Sequence, residues 1–106
     1  MRLALSMRLS GVTTKAERKH MGRVAQLGCI VCRNYGHESP AAVHHLVEGH
    51  KRLGHMSTIP LCPRHHQITG SFWETIHGNK PRFEKAYGTE RELLKQVEDL
   101  LSGASN

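Results

Sequence analysis

The stretch LCPRHHQ, residues 61–67, places two adjacent histidines three residues after a cysteine. Proline directly after Cys62 favours the start of a helix, because proline is well tolerated at the first helical position. Two residues separate Cys62 from His65, and Cys29 and Cys32 repeat this spacing upstream. Thiolates and an imidazole at such spacing are typical ligands of a tetrahedral zinc ion. We therefore predict that these four residues bind a structural Zn²⁺.

The composition favours metal over other roles for the cysteines. The chain has 106 residues, 38% of them hydrophobic, and only five aromatic residues (one Trp, two Tyr and two Phe). Such a chain builds a modest core and often needs a further constraint such as a metal ion. A redox-active Cys-x-x-Cys would require a strand–helix context that the sequence lacks. The remaining alternative to a zinc site is that the three cysteines are buried in the core and bind no metal.

The start of the chain does not resemble a secretory signal. MRLALSMRLSG begins with a charge, but its apolar run is too short for the core of a signal peptide. No segment approaches the length needed to span a membrane. We expect a cytoplasmic protein with no membrane partner, in which cysteines more often bind metal than form disulfides.

The charge of the chain is positive and unevenly distributed. The formal net charge is +6, and residues 1–33 carry seven basic side chains against the single acid Glu17. A solvated basic face would explain this pattern, and so would a surface that binds a polyanion.

We predict one domain over residues 1–106, with residues 1–12 as a flexible basic arm. A metal-binding core is expected over residues 29–80 and helices over residues 81–103. Capping-box patterns begin at Thr14 and Thr89, each with glutamate three residues later.

Within the core, apolar runs at residues 41–47 and 58–61 predict two strands of a hairpin. Residues 48–56 are polar and are expected to form the connecting loop. The sequence around Cys29 and Cys32 predicts a tight turn. A helix is expected from Cys62 towards Gly70.

A second histidine doublet occurs in VHHL, residues 43–46. If His65 binds the structural zinc, His66 points about 100° further round the helix. It would then face the hairpin that carries His44 and His45. We therefore expect three histidines to gather at a second site.

This arrangement resembles the HNH nucleases, which have the ββα-metal fold. The resemblance rests on Cys29-x-x-Cys32, the His44-His45 doublet and LCPRHH at residues 61–66. GHKRLGHMSTIPLCPRHH and the later IHGNKPRFEKAYGTERELL are similar to the phage recombination-enhancement (Ref-type) branch. This similarity extends to about residue 101.

The resemblance implies an α+β fold, with a small zinc-stabilised ββα-metal core between N- and C-terminal helices. It also implies a metal-dependent DNA endonuclease that leaves a 5′ phosphate and a 3′ hydroxyl. By position, His45 is the general base, and His44 and His66 bind a catalytic Mg²⁺ or another divalent metal. His77 is expected as a third ligand of that metal. The family asparagine that orients the base is missing, and Ser57 or His55 stands near its place.

DNA is the expected partner, contacted mainly through its phosphate backbone, and RecA-coated DNA is implied by the Ref-type resemblance. The candidate contacts near the site are Lys51, Arg52 and Arg64, and those on the first helix are Lys15, Arg18, Lys19 and Arg23. Two alternatives remain open. One is a non-catalytic zinc module that binds nucleic acid, and the other is a recombination factor whose nuclease is silent until a partner presents DNA.

Overall fold

The computed structural model describes residues 13–67 and 75–103. Its helices and strands, in chain order, are α1 (Lys15–Gln26), α2 (Ile30–Asn34), β1 (Ala42–His45), β2 (Val47–Glu48), β3 (Lys51–Arg52), β4 (Thr58–Leu61), α3 (Pro63–His66), α4 (Lys80–Tyr87) and α5 (Glu90–Ser102). The predicted arm at residues 1–12 lies outside the described residues, as does Gly70. The helix predicted from Cys62 towards Gly70 is shorter than expected, because it ends at His66 and Gln67 is already extended.

Helix α1 begins and ends where local chemistry predicts. The Thr14 hydroxyl accepts a hydrogen bond from the Glu17 N–H at 3.0 Å, and the Glu17 carboxylate accepts one from the Thr14 N–H at 2.9 Å. Gly28 follows the helix with φ +76°. A Cβ at Gly28 would lie 3.1 Å from the carbonyl oxygen of Ser39, so a side chain there is strained as well as crowded.

The central hairpin pairs β1 with β4 in antiparallel register, with His44 opposite Ile59 and His45 opposite Thr58. Pro60 can occupy β4 because this sheet has only two strands, so each strand has an edge that needs no ladder bond.

Strand β1 ends earlier than predicted, and the loop beyond it is more ordered. The N–H of Leu46 donates to the carbonyl of Ser57, and the Leu46 carbonyl accepts from the N–H of Leu53. The chain then forms a second antiparallel pair, β2 with β3. This short pair carries Lys51 and Arg52 on the exposed side of the hairpin.

The C-terminal helices close the core. The capping box at Thr89 and Glu92 is present, and α5 ends at Gly103 with φ +79°. Helices α1 and α5 pack against each other and against β4. The core joins residues from all of these elements: Val24, Ile30, Val31, Leu46, Ile59, Leu61, Phe83, Leu93, Leu94 and Val97.

The predicted α+β fold with flanking helices is confirmed. The turn predicted at Cys29–Cys32 is instead the N-terminus of the short helix α2, because the Cys29 Sγ accepts the Cys32 N–H at 3.5 Å. Within the described ranges, the helices are all too short or too polar to cross a bilayer.

Candidate metal centres and active site

Cys29, Cys32, Cys62 and His65 converge at the junction of α2, β4 and α3. The Sγ atoms of Cys32 and Cys62 are 3.8 Å apart. The His65 Nδ1 lies 3.6 Å from the Sγ of Cys29, 3.8 Å from that of Cys32 and 3.3 Å from that of Cys62. All four ligand atoms lie within 4.8 Å of one another.

These distances fit a tetrahedral zinc ion. With Zn–S bonds of about 2.3 Å and a Zn–N bond of about 2.0–2.1 Å, two sulfurs lie about 3.8 Å apart and a sulfur and a nitrogen about 3.6 Å apart. Burial raises the pKa of the Cys29 thiol to about 12, so a cation is needed for this sulfur to become a thiolate at neutral pH. The Cys₃His cluster can therefore hold a zinc ion.

A second cluster contains His44, His66 and His77, whose potential ligand atoms also lie within 4.8 Å of one another. The ring centroid of His44 is 5.1 Å from that of His66 and 5.3 Å from that of His77, and the last two are 4.6 Å apart. His44 is buried, His66 is half-buried and His77 is exposed. The structure thus brings together the three histidines that the sequence assigned to one metal.

Backbone hydrogen bonds place His77 beside His66. The N–H of Ile76 donates to the carbonyl of His65, and the N–H of His77 donates to the carbonyl of His66. The two clusters are therefore linked through helix α3, on which His65 faces the cysteines and His66 faces the other histidines.

His45 lies next to the trihistidine cluster, at the end of β1. A cleft of about 250 Å³ is lined by His45, the three clustered histidines, Arg52, Val43 and Val47. In a regular strand, His44 and His45 would project to opposite faces. His45 is the last residue of β1, and here both histidines line the same cleft.

His45, His66 and His77 each have a pKa below the ordinary value of an imidazole, which favours the neutral ring at pH 7. Burial lowers the pKa of His45 to about 4, with a further contribution from the positive charge of Arg52. Burial and the neighbouring His44 and His77 lower the pKa of His66 to about 4. Burial also lowers the pKa of His77. Neutral imidazoles can offer lone pairs to a metal ion or accept a proton.

Two side chains contact the His45 ring. The His55 Nδ1 lies 2.8 Å from the His45 Nε2. The Arg52 guanidinium lies 3.0 Å from Nδ1 and 3.2 Å from Nε2 of His45. Of the two residues near the missing asparagine, His55 reaches the His45 ring. Ser57 instead accepts a backbone hydrogen bond from Leu46, the residue directly after β1.

One buried carboxylate beside the site was not predicted from the sequence. In the sequence, this residue is recognisable only as part of the capping pattern that begins at Thr89. Glu90, the first residue of α5, is 4% exposed. Its Oε2 lies 2.7 Å from the His44 Nε2, and its Oε1 lies 2.9 Å from the Lys80 Nζ. Because Glu90 and His44 are 46 residues apart, no short sequence pattern indicates that they are in contact.

The basic residues lie in three places. Lys51 and Arg52 are exposed on β3, and Arg52 lines the cleft. Arg64 lies on a different surface, where it lines a cavity with Cys32, His65 and Tyr87. The remaining candidates are exposed on α1: Lys15, Arg18, Lys19 and Arg23.

Arg23 also has a structural contact, since its guanidinium donates to the Leu101 carbonyl at 2.9 Å. On a helix, residues four apart share one face, so Lys15 and Lys19 lie together.

This small α+β protein thus has a Cys₃His cluster that can hold a zinc ion, and beside it a trihistidine cluster that could hold a second ion. The family described as "recombination enhancement, RecA-dependent nuclease" matches residues 13–102. The chain belongs to this family, and the prediction of a Ref-type relationship is confirmed. Among curated proteins, no individual sequence matches the chain.

Proposed function

We propose that this protein is a metal-dependent DNA endonuclease of HNH type, acting on DNA within a RecA filament. The observation that carries the proposal is that His45 and the trihistidine cluster line one cleft. Together they supply the two parts that phosphodiester hydrolysis requires, a neutral base and a set of ligands for a divalent cation. The family match supports a nuclease acting in recombination.

The ligand set also bears on the choice of metal. Imidazoles suit transition ions such as Zn²⁺, Ni²⁺ or Fe²⁺, whereas Mg²⁺ prefers carboxylate, carbonyl and water oxygens. His44, His66 and His77 would hold the ion and leave positions open for the substrate. When bound, the ion would polarise the scissile phosphate and stabilise charge on the leaving oxygen. We expect Co²⁺ or Ni²⁺ to support cutting at lower concentrations than Mg²⁺.

His45 would accept the proton of the attacking water, because its imidazole is neutral and faces the cleft. In the free protein, the Arg52 guanidinium lies 3.0–3.2 Å from both nitrogens of that ring, and it can donate to the one that carries no hydrogen. A DNA phosphate in the cleft would compete for the guanidinium, since Arg–phosphate pairs are strong and frequently bidentate. Binding of the substrate would thereby leave a ring nitrogen of His45 open to water.

His55 would replace the family asparagine as the residue that orients the base. We expect His55→Ala to lower kcat by about 10- to 100-fold, because misplacing a catalytic group by ~1 Å costs on the order of 100-fold. Ser57→Ala is the matched control and should leave kcat within about twofold. Single-turnover cleavage kinetics measure both variants, and equal losses would remove His55 from this role.

Cleavage assays test the function as a whole. The protein is incubated with naked or RecA-coated DNA, in the presence of Mg²⁺, Mn²⁺, Co²⁺ or Ni²⁺. We expect cutting of RecA-coated DNA that depends on the added divalent ion. Salt-sensitive binding without cutting on either substrate would instead identify a non-catalytic zinc module.

Substrate binding should depend on the basic face of α1. We expect the double substitution Lys15→Ala and Lys19→Ala to weaken DNA binding and to reduce the slope of log K against log salt concentration. The slope should fall by about 0.7–0.9 for each phosphate that the variant no longer neutralises. Fluorescence anisotropy at several salt concentrations measures this slope.

The control is the double substitution Lys85→Ala and Lys95→Ala, which removes equal charge from exposed positions on α4 and α5. If both double variants shift the slope equally, the effect comes from net charge and α1 is not a binding face.

A further inference from the structure

Glu90 is a buried carboxylate whose contacts converge on the proposed metal site. Its Oε2 lies 2.7 Å from the His44 Nε2, and its Oε1 accepts the Val47 N–H at 3.1 Å. The Lys80 ammonium lies 2.9 Å from Oε1 and also donates to the Val47 carbonyl at 2.6 Å. Both partners of Oε1 can only donate hydrogen bonds, and a pair with the Lys80 ammonium is the contact expected of an ionised carboxylate.

This contact decides which nitrogen of His44 is available. A carboxylate accepts hydrogen bonds and donates none, so the His44 Nε2 must carry the hydrogen. A neutral imidazole with hydrogen on Nε2 has its lone pair on Nδ1. Nδ1 is therefore the His44 nitrogen left to bind a cation. The centroid of the His44 ring lies 5.1 Å from that of His66 and 5.3 Å from that of His77.

The Glu90 backbone and carboxylate are held by contacts with three neighbouring residues. Glu90 is the first residue of α5, and its own N–H donates to the Glu84 carboxylate at 3.0 Å. Through Val47 and Lys80, it is bonded to the segment that directly follows β1. Stability alone is a weak reason for burying this charge, because buried ion pairs often contribute little net stability. Metal-binding histidines, by contrast, commonly donate their second N–H to a carboxylate, which orients the ring and raises its basicity.

We propose that Glu90 is a positioning residue of the trihistidine site, which holds His44 with hydrogen on Nε2 so that Nδ1 binds the divalent ion. This inference rests on the metal site in the proposed function. It adds a residue outside the histidine doublets and assigns a role to the first turn of α5.

Two measurements on the zinc-loaded protein test this role without any cleavage assay. A long-range ¹H–¹⁵N correlation spectrum of the wild-type protein should show the His44 hydrogen on Nε2. Isothermal titration calorimetry with Co²⁺ alone should show that Glu90→Gln weakens binding by about 10- to 100-fold, the usual cost of removing such a partner. Zinc content and circular dichroism should match the wild-type protein.

Two further variants separate positioning from a structural role. Glu98→Gln removes an exposed carboxylate from the same helix, and Co²⁺ affinity should stay within about twofold. Lys80→Met removes the ion pair but keeps the contact between Glu90 and His44, so we expect at most a threefold change.

The proposal is overturned if the His44 hydrogen is on Nδ1, if Glu90→Gln binds Co²⁺ like the wild type, or if Lys80→Met loses as much affinity as Glu90→Gln. Glu90-dependent Co²⁺ binding by a protein that cuts no DNA would contradict the nuclease, and would leave the role of Glu90 intact.

Discussion

His45→Ala should lower the rate of DNA cleavage by about 100- to 10,000-fold, the usual contribution of a general base. The residue lines the cleft beside the trihistidine cluster, and its imidazole is the one that the proposed metal site leaves free to accept a proton. Because its ring is half-buried and lies outside the core, the fold should survive. Single-turnover cleavage of RecA-coated DNA with a saturating divalent ion measures this rate.

His37→Ala is the matched control, since His37 is exposed and lines cavities away from the trihistidine cluster. It should cut at the wild-type rate. Calorimetry should also show that His45→Ala binds Co²⁺ as the wild type does, which separates loss of the base from loss of the metal. Cleavage by His45→Ala within about tenfold of the wild-type rate would show that another group takes the proton.

The adjacent histidines of helix α3 should give opposite results. We expect His65→Ala to lose zinc and to unfold, because structural zinc in small domains contributes about 10–16 kcal/mol of apparent binding free energy. This exceeds or equals the total stability of an ordinary domain, about 5–15 kcal/mol. His66→Ala should keep its zinc and change the free energy of unfolding by only about 1 kcal/mol. Its cleavage rate should still fall by at least about 100-fold. Even residues that only hydrogen-bond to a metal ligand change metal affinity or activity by about 10- to 100-fold when they are removed.

Zinc content, thermal unfolding by circular dichroism and cleavage are measured for both variants. Each variant is the other's control, because both remove one imidazole from the same helix. Retention of zinc by His65→Ala, or its loss from His66→Ala, would contradict the assignment of His65 to the cysteine cluster and of His66 to the trihistidine cluster.

Features decided by neighbouring residues could be predicted from the sequence. The caps of α1 and α5 follow from threonine and glutamate three residues apart, and both capping boxes are present. The zinc cluster could also be predicted, because two-residue spacing suits adjacent corners of a tetrahedron. The trihistidine cluster followed from the rotation of His66 about α3 and from the resemblance to HNH nucleases.

What could not be predicted depends on contacts between distant segments. Glu90 reaches His44 only because α5 packs against β4, and its position in the sequence suggests a helix N-terminus and no more. Whether Ser57 or His55 reaches the His45 ring depends on how the chain returns from β1 to β4. The pairing of β2 with β3, which was not predicted, controls that return. Arg64 is close to the cysteine ligands in sequence, yet it faces a cavity other than the histidine cleft.

Helix α3 has only four residues, fewer than a helix needs to be stable by itself. In the proposed nuclease, zinc bound by Cys62 and His65 would fix the direction of this helix. It would thereby also fix the places of His66 and the backbone-bonded His77 opposite His44. Zinc would then have to bind before the second ion, and a newly made chain without zinc would be unable to cut the DNA around it.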